Sequence, residues 1–191
     1  MYRTLVLAAF LFLPTLSNAQ TCDVPAFEAF AVPDASGSSE KPALQIDMHP
    51  VAQLRIPTGF SRIGALPEGS VGFGQHPAGM SVLLGFETRE SISIHQQSVA
   101  PAEFLLAIFK GLNPDGCRYL AHYQLESQDY RLHARLEKGT ELFAYGKGAR
   151  HQFYLIRPDT PDFVLTGLFR NMSSGEFEAI LSTLAIFRID V

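Results

Sequence analysis

Six histidines, two cysteines and no tryptophan set the chemical vocabulary of this 191-residue chain. Two of the histidines fall in a pattern with chemical potential. Along 118–126, Tyr119, Ala121, Tyr123 and Leu125 alternate with Arg118, His122, Gln124 and Glu126. Along 130–137, Tyr130, Leu132, Ala134 and Leu136 alternate with Arg131, His133, Arg135 and Glu137. A period of two marks a half-buried strand, so the two segments read as a hairpin with both histidines on its polar face. One register sets His122 opposite His133. Another sets Glu126 opposite Arg131 and Gln124 opposite His133, and opposite charges favour it.

Two histidines on one face could hold a metal or pass a proton. Arg131 and Arg135 argue against the metal, because neighbouring cations repel it and engage Glu126 and Glu137, the carboxylates that could serve as a third ligand. We therefore expect no metal here. Arg118, His122, Gln124, Glu126, Arg131, His133, Arg135 and Glu137 read instead as a solvated mixed-charge face suited to a partner, where charge sets register and on-rate.

The other histidines are dispersed. His95 falls at a strand end, His76 in a turn, His49 before a proline, and His151 inward with Phe153 and Leu155. None makes an H-x-H or H-E-x-x-H spacing. Ser61 lies between Gly59 and Gly64, one residue too far for a nucleophile elbow. The glycines at 69, 72 and 74 lack the Lys-Ser/Thr pair of a phosphate loop and open a strand rather than a helix. No carboxylate pair stands out, so neither a catalytic residue nor a cofactor is expected. Asn171-Met-Ser173 is formally a glycosylation sequon, but its serine is already explained as a helix cap.

The compartment follows from the N-terminus. One cation, Arg3, precedes an apolar run from Leu5 to Leu13, and Ser17 and Ala19 fit the small-residue positions of a cleavage site. The run is too short for a membrane-spanning helix. Residues 1–19 thus read as a signal peptide, and the mature chain as periplasmic or secreted, beginning at Gln20. Gln20 and Thr21 before Cys22 do not fit a lipidation site, so no stable membrane anchor is expected. An exported chain with just two cysteines favours a disulfide between Cys22 and Cys117. The net charge of −4 argues against a general nucleic-acid binder.

These side chains need a scaffold. Residues 20–43, with Pro25, Pro33, Pro42 and a Ser-Gly run, read as a flexible arm ahead of a single domain over 44–191. Strands are expected at 51–56, 71–75, 80–87 and 91–95. A helix follows from Pro101, with Leu105, Ile108, Phe109 and Leu112 on one face. A meander is expected over 118–126, 130–137, 140–146, 150–157 and 163–170. Ser173 and Glu176 then frame a capping box for a second helix bearing Phe177, Ile180, Leu181 and Leu184, and 185–190 closes as a strand. The order is α+β: an antiparallel sheet of about seven or more strands with two main helices on it. The many phenylalanines, Phe104, Phe109, Phe143, Phe153, Phe163, Phe169, Phe177 and Phe187 among them, fall at core positions.

The stretch Leu54-Arg-Ile-Pro-Thr-Gly-Phe60 resembles the opening strand of the Mog/PsbP-like group. The closing order, a strand over 163–170, a capped helix and a last strand, resembles it too. The resemblance implies membership of an α/β group that hosts unrelated roles, many of them protein binding without catalysis, with no catalytic residues to carry over. The expected function is a small exported protein-binding module, such as an accessory or immunity-type protein, whose partner is another exported protein. Two alternatives stay open: a binder of a small apolar or lipid-like ligand, and a hydrolase with a site dispersed over loops.

Overall fold

The computed structural model describes residues 24–32, 43–93, 98–112 and 123–187. Eleven strands and two helices occur among them: β1 Glu28–Ala29, β2 Ala43–Met48, β3 Ala52–Pro57, β4 Arg62–Ala65, β5 Val71–Gly74, β6 Ser81–Glu87, α1 Pro101–Phe109, β7 Tyr130–Arg135, β8 Glu141–Lys147, β9 Arg150–Ile156, β10 Val164–Arg170, α2 Ser174–Leu181 and β11 Ala185–Ile186. Eight form one sheet in the order β1-β7-β8-β9-β10-β6-β5-β4, and three form a small sheet in the order β11-β3-β2.

The alternation in β8 to β10 builds two cores on opposite faces, because successive side chains point to opposite sides of a strand. Phe153, Leu155, Leu165 and Phe169 face the small sheet and α2, where they meet Leu54, Ile56, Phe177, Ile180 and Leu181. Phe143, Tyr145, Tyr154, Ile156 and Val164 face α1 and pack with Phe104, Leu105, Ile108 and Phe109. Helix α1 starts as expected, with Pro101 in its first turn and Glu103 at its positive end. The capping box of α2 is complete: Ser173 accepts from the Glu176 amide, and the Glu176 carboxylate accepts from the Ser173 amide.

One fully buried cation ties the two sheets together. Arg157 extends from the end of β9 and donates to the Pro50 and Val51 carbonyls in the β2–β3 turn. Its remaining face grips Asp159 in a two-pronged pair at 2.8 and 2.6 Å.

Three expectations are corrected. The large sheet is mixed rather than antiparallel, because β1 adds parallel to β7, pairing Glu28 with Leu132 and Ala29 with His133. Phe27 seats this segment with edge-on contacts to Phe109 and Phe143. Secondly, 123–127 is not strand. Gln124 is left-handed (φ 51°) and Leu125–Ser127 is a 3-10 turn, held by Arg131 donating to the Leu125 and Gln128 carbonyls. The inside-outside pattern is real, with Tyr123 and Leu125 buried and Gln124 and Glu126 exposed, but a tight turn produces it. Thirdly, 91–93 is a turn, in which the Ser91 hydroxyl accepts from the Thr88 amide and donates to Glu87. Ile92 is buried all the same. Phe163 also departs from its expected core position and is 42 % exposed. The signal segment and both cysteines lie outside the described residues.

Candidate functional site: an open face of the large sheet

The α1 side of the large sheet is covered at one end of its strands and open at the other. Strand register lays out the open end in rows. One row runs Gly64, Gly72, Leu83, Leu168, Gln152, Tyr145 and Arg131, each opposite the next. Two residues further along the strands, on the same face, Ser81 opposes Arg170, Arg170 opposes Arg150, and Arg150 opposes Lys147. Arg62, opposite Gly74, continues that second row onto the edge strand β4.

The loop around Pro67–Gly69 walls one side of this face. Leu66 lies over Gly72 and Ser70 over Gly85, so close that a β-carbon on either glycine would meet them at 3.3 and 2.3 Å. Beyond this wall Leu83 is 38 % exposed and Leu168 half-buried. On the other side lies a cleft of about 420 Å³, lined by Glu87, Tyr123, Gln124, Gln128, Tyr145, Lys147, Arg150, His151, Gln152, Tyr154 and Leu168. Its lining is mostly polar.

Two buried phenols shape the cleft. Gln152 donates to the Tyr154 hydroxyl at 2.6 Å. Tyr145 is 3 % exposed, and its hydroxyl has no hydrogen-bond partner among the described residues. Burial pushes both phenols above the usual tyrosine range, and the Glu87 carboxylate adds to the push. Both therefore stay neutral, and the Tyr145 hydroxyl, beside that of Tyr154, has no close hydrogen-bond partner among the described residues. Lys147, Arg150, Arg170 and Arg62 are exposed, and none makes an ion pair among the described residues.

The residues expected to form a partner face are distributed differently. Arg118 and His122 lie outside the described residues. Gln124 lines the cleft, while Glu126, Arg135 and Glu137 are exposed. Arg131 is spent on structure, holding the 125–128 turn and reaching the Ala26 carbonyl at 3.4 Å. His133 donates to Glu141 and stacks on Phe143 at 4.5 Å. Lys110 adds an ion pair to Glu141 at 2.6 Å. Burial pushes Glu141 up, but the hydrogen bonds and charges of Lys110 and His133 outweigh it and hold the carboxyl below its usual range. This trio, gathered around the buried Glu141, fastens α1 to the sheet.

His151 takes the inward position expected of it, 1 % exposed beneath Phe177. Its Nε2 lies 2.9 Å from the Met172 carbonyl, and the Tyr130 hydroxyl meets its Nδ1 at 2.6 Å. Nε2 can only donate to a carbonyl, so Nδ1 accepts from Tyr130. The described residues hold no group of three or more histidines, cysteines and carboxylates placed for a metal. No described helix is long and apolar enough to cross a membrane.

Reading the sequence strand by strand missed the cation row. Part of it was legible, because the short turn Gly148-Ala149 sets Lys147 directly opposite Arg150. Arg170 and Arg62 join only through long-range register. No family model, curated protein or solved structure significantly matches this chain.

Proposed function

We propose that this chain is a small exported protein-binding module, an accessory or immunity-type protein without catalysis of its own, that meets its partner with the open face of the large sheet. The carrying observation is the uncovered aliphatic strip: Leu66 is 47 % and Leu83 38 % exposed, with Leu168 half-buried beside them. Single exposed leucines are ordinary, but adjoining ones on a sheet face that α1 leaves partly bare suit an interface. The charged rim supplies orientation and on-rate. A lipid-like occupant fits less well, since such pockets are mainly apolar and this cleft is lined by tyrosines, glutamines and charges. The likeness of element order to the Mog/PsbP-like group, where protein binding is frequent, agrees with this reading.

Export is part of the proposal. The Leu5–Leu13 run and the small residues before Gln20 support it, and a Cys22–Cys117 disulfide would be its consequence. The test is affinity purification of the tagged, exported chain from its native extract, with mass spectrometry, beside a Leu83→Arg variant. One stoichiometric protein partner, lost in the variant, is the expected result. Co-purifying lipid with no protein, or a partner retained equally by Leu83→Arg, would overturn it.

A further inference from the structure

We propose that the partner lays an extended acidic segment along Arg62, Arg170, Arg150 and Lys147. This rests on the protein-binding reading above and names the chemistry of the partner.

The cations are placed at a cost. Arg170, Arg150 and Lys147 are direct cross-strand neighbours, and like charges so placed destabilise a sheet. No described carboxylate forms an ion pair with any of them, although the chain carries 19 acidic residues against 15 basic ones. A row that the described carboxylates leave without an ion pair fits an anion brought from outside.

The shape narrows the anion. Between Arg62 and Arg170 stand only Gly74 and Ser81, so the row is shallow there. Neighbouring strands are about 4.8 Å apart, so the five steps from β4 to β8 span about 24 Å, the length of about seven extended residues. The adjoining row offers what a peptide needs beyond charge: Leu83 and Leu168 for an apolar side chain, and Gln152 for an amide. A nucleic acid would look for exposed aromatic platforms, and the phenols at this cleft, Tyr123, Tyr145 and Tyr154, are buried. A membrane surface would favour a cluster of cations without 19 acids on the same chain.

The probe is fluorescein-labelled heptaglutamate, read by anisotropy against the full exported chain at about 0.02 M and about 0.2 M salt. Binding should weaken about tenfold or more in Arg150→Glu/Arg170→Glu and by a similar factor at the higher salt. It should hold within about twofold in Arg55→Glu/Lys138→Glu, which reverses equal charge elsewhere. Thermal unfolding of each variant verifies that it is folded. No binding, equal loss in both double variants, or tighter binding to phosphatidylglycerol vesicles or single-stranded DNA than to heptaglutamate would overturn the proposal. If Leu83→Arg loses the captured partner while Arg150→Glu/Arg170→Glu keeps it, the acidic segment is wrong and the protein-binding reading stands. If neither variant loses it, both fall.

Discussion

Arg150 and Arg170 face each other directly across β9 and β10, and neither has a carboxylate partner among the described residues. A sheet stabilised for its own sake would set a glutamate at one of these positions. Replacing Arg170 with Gln should therefore raise stability by about 0.2–1 kcal/mol at low salt, with the gain shrinking as salt screens the repulsion. Chemical denaturation at two salt concentrations measures this. A loss of stability would mean that Arg170 supports the fold instead.

The two buried phenols of the cleft should respond unequally to loss of a hydroxyl. Tyr145→Phe removes a buried hydroxyl whose one neighbour is the Tyr154 phenol and which has no close partner, so stability should hold. Tyr154→Phe removes the acceptor of Gln152 and should cost about 1 kcal/mol. Equal losses in denaturant titrations would show that Tyr145 is already satisfied.

Arg157 should be a damaging polar residue to replace. Arg157→Met abandons Asp159 and the Pro50 and Val51 carbonyls. The carbonyls lose their buried donor, while Asp159, 40 % exposed, is taken up by water, so the cost should be about 1–3 kcal/mol. The pH dependence has a definite sign. Hydrogen bonds from Arg157 hold the Asp159 carboxyl below its usual range. Its stabilising contribution is complete above the ordinary aspartate pKa, near about 4, and is lost as pH falls through the lowered value. The wild-type chain should lose more stability between about pH 5 and pH 3 than Arg157→Met. Parallel acid profiles would contradict the clamp.

Gly146 is required by the Tyr130–His151 contact. A β-carbon there would lie 2.5 Å from His151 Nδ1 and 2.7 Å from the Tyr130 hydroxyl. Gly146→Ala should cost about 1–3 kcal/mol through overpacking. Tyr130→Phe, which leaves the buried Nδ1 without a donor, should cost a similar amount. A Gly146→Ala variant with an unchanged melting temperature would mean the contact is loose.

Export makes a chemical prediction as well. Mass spectrometry of the exported protein should find Gln20 at its N-terminus and, without reductant, Cys22 joined to Cys117. Closing so long a loop removes about 4–5 kcal/mol of unfolded-state freedom in the chain-entropy model. Two free thiols, or an uncleaved leader, would contradict these expectations.

Local signals in the sequence were read correctly where short-range physics decides. Pro101, Glu103 and the Leu105-Ile108-Phe109 stripe mark α1, and Ser173 with Glu176 marks the start of α2. The strands β8 to β10 fall within a residue or so of their alternating patterns. Failures began where pairing joins distant segments. A two-residue strand such as β1 has no periodicity to detect, so its parallel addition to β7 was invisible. The β2–β3 turn is tied to the large sheet by Arg157, and no local pattern links that residue to Pro50. The 123–127 turn imitated a strand because a left-handed Gln124 kept the inside-outside alternation. Arg62 and Arg170 share a row only because β5 and β6 lie between their strands.

The most direct measurement is a two-dimensional amide NMR titration of the full exported chain with heptaglutamate. Perturbed amides should cluster at Arg62, Ser81, Lys147, Arg150, Gln152, Leu168 and Arg170, and the perturbations should vanish in Arg150→Glu/Arg170→Glu. Shifts confined to Arg135 and Glu137, or scattered over the surface without saturation, would contradict a cation row built to receive an acidic partner.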